Sequence, residues 1–152
     1  MTVTTKRTAQ VRGLRALIVL TLVILTAQGW FGDTVNIFIV PANGTTPPPP
    51  SLSGFLNAVG SLKQPFLLVW HTFEGVALVI LAVAVLVLSL VWSRSRGVRV
   101  WSALGLFFML SSAMGGYLFV MSGFSSGGVS AQMGGSFIGA YASYFLTLYY
   151  TK

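Results

Sequence analysis

The chain has 152 residues, with no cysteine, one histidine (His71) and two acids, Asp33 and Glu74. Without cysteine there is no disulfide, no thiolate metal site and no cysteine nucleophile. One histidine and two carboxylates are too few for an ordinary His/carboxylate metal centre. Charge is scarce as well. Charged residues are 7% of the chain, where a soluble domain carries about 25%. What is present is apolar: 55% hydrophobic residues and a mean hydropathy of +0.83. This is the composition of a single all-α integral membrane domain.

The net charge of +7 would suit nucleic acid only if it covered a soluble face. Instead the basic residues sit in short clusters at the ends of apolar runs, so nucleic acid is not an expected partner and the lipid bilayer is. The runs predict four transmembrane helices, at about 14–30, 65–92, 100–121 and 131–150. The first, Leu14 to Trp30, follows a basic segment and could be read as a secretory signal cut after Ala27-Gln28-Gly29. Its length favours a retained helix. Residues 31–64 form the one long loop, with a short strand expected over Ile37 to Val40 and a stiff Pro47–Pro50 run. Asn43-Gly44-Thr45 matches the glycosylation acceptor pattern. Ser51 then predicts the cap of a short interfacial helix, about 51–62, with Leu52, Phe55, Leu56, Val59 and Leu62 on one face.

Lys and Arg set the orientation. Lys6, Arg7, Arg12, Arg15, Arg94, Arg96, Arg99 and Lys152 fall on one side of this topology and only Lys63 on the other. The positive-inside rule puts both termini in the cytoplasm and residues 31–64 and 122–130 outside, in a multi-pass protein of the plasma membrane.

The chemistry-bearing residues gather toward the outer side. His71 and Glu74 share a face of the second helix at spacing i, i+3, with Gly75 one turn beyond His71. Gln28 and Asp33 close the first helix at that depth. Met114-Gly115-Gly116-Tyr117 and Met121 lie there on the third helix, and Gln132-Met133 on the fourth. Ionisable groups inside a membrane helix are functional hypotheses by default. Three readings of His71 stand side by side. It hydrogen-bonds a neighbouring helix; or it is an axial haem ligand, with Gly75 admitting the macrocycle and Met133 (or Met114 or Met121) as a thioether partner; or it forms a proton relay with Glu74. The aliphatic inner half, Leu78 to Leu88, argues against a channel. Gly135, Gly139 and Ser143 place small residues four apart on the fourth helix, and Gly115 with Ser111 and Gly116 with Ser112 do so on the third, the pattern of close helix packing or dimerisation. Tyr141, Tyr144, Phe145, Tyr149 and Tyr150 suggest a lipid- or partner-facing surface.

The chain also divides into two tandem helical hairpins, a register that aligns His71 with Met133. From Leu14 to Tyr150 it resembles one four-helix half of the haem A synthase family, of which compact half-length members occur in archaea. The resemblance rests on Gly115-Gly116 leading to Ser122-Gly123-Phe124, on His71 with Gly75, and on the short basic connection Arg94 to Arg99. It implies a haem-binding bundle with histidines on its second and fourth helices and, in the catalytic half, a glutamate before a histidine. Only His71 corresponds: Met133 or Gln132 stands at the fourth-helix position, and Glu74 follows its histidine. The function expected is therefore a small, non-catalytic accessory subunit of a larger membrane assembly, respiratory or redox in kind, with one b-type haem at His71. The alternative is a half-size haem A synthase-like enzyme acting as a dimer, with Glu74 as its acid.

Overall fold

A computed structural model describes residues 3–38, 47–62 and 65–152, and every regular element among them is helical. In chain order these are α1 (Val3–Phe38), α2 (Leu52–Gly60), α3 (Pro65–Trp92), α4 (Arg96–Met121) and α5 (Gly127–Tyr150). Three stretches, Arg7–Val35 of α1, Phe66–Trp92 of α3 and Arg96–Met121 of α4, are long and apolar enough to cross a membrane. α5 has 24 residues and no charged side chain, but its glycines, serines and tyrosines make it less apolar than those three.

The four long helices form a ring. α1 and α4 each pack against both α3 and α5, while the diagonal pairs stand apart. One end of the ring is basic. There Gly13 faces the Trp92 ring, Arg15 Nη1 donates to the Thr151 carbonyl at 3.2 Å, and Gly97 lies beneath the Tyr150 ring. Those contacts gather the start of α1, the α3–α4 connection and the C-terminus, and with them exposed Arg12, Arg15, Arg94, Arg96, Arg99 and Lys152. Arg99 folds back so that its guanidinium donates to the Ser93 carbonyl (2.7 Å) and the Leu90 carbonyl (3.4 Å). It thereby satisfies carbonyls that the end of α3 leaves without intrahelical partners.

A core of Leu14, Ile18, Leu25, Leu78, Ala82, Val85, Val98, Met109, Ala140 and Tyr144 runs up the ring from the basic end. A second cluster closes the opposite end: Val35, Val59, Leu62, Leu68, Val120 and Phe124. α2 supplies Val59 to it and packs on α3 and α4. Ser51 caps α2, its Oγ accepting from Gly54 N at 3.0 Å. Gly54 must be small, because a Cβ there would run into the Pro49 carbonyl. The α4–α5 turn is held by Gly123 and Phe124, both at positive φ (67° and 60°). Phe124 tolerates that conformation because its ring is buried edge-on against Phe119, and its N–H donates to the Phe119 carbonyl at 3.0 Å.

Three sequence expectations change. The first helix does not end near Trp30; it continues to Phe38, and Trp30 is an exposed mid-helix residue. Of the strand expected over Ile37 to Val40, Ile37 and Phe38 are helical instead, and residues 39–40 lie outside the described residues. The physical reason is Val35, which is buried in the outer cluster and so draws the polar segment Phe31 to Val35 into helix. Tyr144 is the third: it does not face lipid or a partner but is wholly buried in the ring. Asn43 and Lys63 lie outside the described residues.

Candidate functional site

At the end of the ring opposite the basic cluster the helices leave a cavity of about 750 Å³. That is within the size range of small-molecule and cofactor sites. Its wall is mostly apolar, with Leu25, Leu68, Leu78, Val79, Met109 and Phe137 among the lining residues. Polar groups are few: Gln28 and Asp33 of α1, His71 and Thr72 of α3, Ser112 and Tyr117 of α4. Phe55 of α2 also lines it and stacks on Tyr117, ring centroids 6.1 Å apart.

His71 is held mainly by α1. Its imidazole lies against Gly32, where a Cβ would come within 3.2 Å of the ring. The Gln28 carboxamide nitrogen donates to the His71 carbonyl at 3.1 Å and stands 3.3 Å from His71 Nε2. Gly75, one turn along α3, leaves room for that carboxamide, which would touch a side chain there at 3.4 Å. Among the described residues, His71 Nδ1 and Gln28 Oε1 are sealed from solvent and have no hydrogen-bond partner. Buried polar atoms left unpaired cost about 1–3 kcal/mol each, so such a pair calls for an explanation.

Met133 enters from α5. Its thioether sulfur lies over Gly116, 3.6 Å from where a Cβ would stand. The α5 backbone at this level is tied to α4 by Ser112 Oγ, which donates to the Met133 carbonyl at 3.2 Å. A second tie joins Ser111 and Ser136 hydroxyls at 3.0 Å. The structure thus brings His71, Gly75 and Met133 to one cavity, with Gln28, Asp33 and Gly116. Met114 is largely exposed, and neither it nor Met121 lines the cavity. Glu74 does not line it either; its Oε2 is sealed and has no partner among the described residues.

The small residues separate by role. Gly115 and Gly139 lie in the α4–α5 contact, where a Cβ would meet Gln132 Oε1 at 2.9 Å and the Phe108 ring at 2.8 Å. Ser143 is buried, its hydroxyl turned back to the Gly139 carbonyl at 2.7 Å. Gly116 belongs to the cavity, and Gly135 faces open space.

Sequence reasoning placed Gln28 at the right depth but did not pair it with His71. The available signal was that Gln28 is the one carboxamide in an otherwise apolar run, a group that seeks a partner on a neighbouring membrane helix. Gly32 and Phe137, which shape the wall, gave no such signal. Comparison with protein-family profiles, curated proteins and solved structures found no match to this chain.

Proposed function

We infer that the protein is a small four-span membrane subunit whose cavity holds one b-type haem, with His71 as its axial ligand. It serves without catalysing a reaction of its own, as an accessory subunit of a larger redox assembly in the plasma membrane. One observation carries the reading: His71 and Met133, from different hairpins, line the same apolar cavity. The donor set fits the group, since an imidazole and a thioether are an established axial pair. Gly75 and Gly116 also line the cavity, the first against the Gln28 carboxamide and the second under the Met133 sulfur. His71 would hold the iron, Met133 would face it as a second ligand, and the aliphatic wall would exclude water. Bound haem would supply one-electron transfer. The non-catalytic reading is supported by Glu74, which stands outside the cavity wall.

α5 is the fourth span in this reading. Its 24 uncharged residues reach about 36 Å at 1.5 Å per residue; Gln132 and Ser136 bond α4, and Ser143 and Thr147 bond back to carbonyls of α5 itself. The basic end is cytoplasmic by the positive-inside rule, so the cavity lies toward the outer face.

The test is a reduced-minus-oxidised absorption spectrum of the purified protein in detergent, after supplying haem. A b-type band should appear in the wild type, vanish in His71→Ala, and change in reduction potential or ligand field in Met133→Leu. A well-folded wild type that stays colourless in excess haem sinks the reading.

A further inference from the structure

The Gln28–His71 contact carries chemical information about the site. A carboxamide has a donor end and an acceptor end, and the contact to the helix carbonyl decides which is which. The atom 3.1 Å from the His71 carbonyl oxygen must be the NH2 group, because Oε1 there would set two acceptors against each other. The same NH2 group is 3.3 Å from His71 Nε2. Its second N–H therefore points at Nε2, and the contact is favourable only if Nε2 carries a lone pair and no proton. In the neutral ring the proton then sits on Nδ1. The opposite tautomer would press an N–H against an N–H.

We propose that Gln28 is a positioning residue that presets His71, a cavity-lining residue, as the Nδ1–H tautomer, leaving Nε2 as the ring nitrogen with a lone pair. This rests on the cavity being the functional site, but not on haem being what fills it. The ligand class follows. A group that accepts an electron pair, whether a metal centre or an O–H or N–H donor, can take the place of Gln28 at Nε2. A carbonyl or an anion finds no donor on His71 to recognise it.

Exchange at Nε2 is made easier by how Gln28 is anchored. The contact to Nε2 is long for a hydrogen bond, whereas the bond to the His71 carbonyl is shorter and uses the other N–H. Losing the first leaves the second in place, so Gln28 yields the nitrogen without leaving the wall. Gly32 and Gly75 make the arrangement possible, since each brings α1 and α3 close at the level of one of the two side chains.

His71 is the only histidine, so a chain labelled with [15N]histidine gives the signals of one imidazole. Two-bond proton–nitrogen correlation on the ligand-free protein in detergent should show Nδ1 protonated and Nε2 as the bare nitrogen. Gln28→Leu, close in volume, should lose that preference and populate the Nε2–H form. A wild type found as Nε2–H overturns the proposal, even if the variant fails to fold. A folded Gln28→Leu protein with an unchanged tautomer also overturns it, because Gln28 would then be packing only. The measurement contains no haem. An Nδ1–H wild type that binds no haem would therefore sink the haem reading and leave this one standing.

Discussion

Between α4 and α5 the closest approaches are aromatic rings seated on glycines. Tyr150 sits on Gly97, Tyr144 on Gly105 and Phe108 on Gly139, each within 2.7 to 2.9 Å of where a Cβ would be. Serine and carboxamide bonds add to them, including Gln132 Nε2 to Ser111 Oγ at 2.8 Å. Between α1 and α3 the contacts are mostly aliphatic toward the basic end and loosen beyond Leu78 into a cavity. In lipid, burying aliphatic surface does not by itself drive helices together; close packing and interhelical hydrogen bonds do. The second hairpin is thus built for rigidity, and the first leaves room and positions a histidine. Met133 joins the two, held on the rigid hairpin and lining the space left by the other.

The largest effect should come from filling a ring notch. Gly105→Leu puts a branched side chain where the Tyr144 ring lies 2.7 Å from the Cβ position. It should cost about 3 kcal/mol, read as a lowered unfolding midpoint in detergent. Gly13→Ala, with Trp92 at an ordinary 3.7 Å, should change little. If both behave alike, the contrast between the hairpins is wrong.

His71→Ala tests the looser side. It removes a ring from a wall that already has space, and the Gln28 bond is to the backbone carbonyl, which remains. The expected loss of stability is about 1 kcal/mol, while haem binding should disappear altogether. Collapse of the fold would instead make His71 a packing residue.

Tyr144→Phe has an unusual sign. The Tyr144 hydroxyl is buried in the ring and has no partner among the described residues. Replacing it should leave stability unchanged or raise it by about 1 kcal/mol. A clear loss in thermal unfolding would reveal a partner for that hydroxyl.

The smallest change is Gly135→Ala. With nothing within 4 Å of the added methyl, only helix propensity acts, and a gain of about 0.5 kcal/mol is expected. A destabilised variant would mean that Gly135 is in contact with a second chain.

Much of the frame was legible in the residues themselves. Apolar runs longer than a soluble helix needs, with cations confined to their ends, determine an all-α chain with helices fit for a bilayer. Scarcity narrows the chemistry in the same way: the lone histidine of the apolar run lines the cavity that the helices leave. Ser51 as a cap was readable because N-capping is local. What the sequence could not decide depends on neighbours far along the chain. Gly32, Asp33 and Asn36 are poor helix formers, so α1 looked finished near Trp30; burial of Val35 in a cluster shared with α2, α3 and α4 overrides that propensity. Tyr141, Tyr144, Phe145, Tyr149 and Tyr150 of α5 look alike in sequence, and only the notch at Gly105 assigns Tyr144 to the interior. The pairing of Gln28 with His71 spans 43 positions and exists because Gly32 and Gly75 let α1 and α3 approach there. Composition and periodicity are local properties and set the helices; which faces meet, and so which nitrogen His71 offers, is a property of the packed ring.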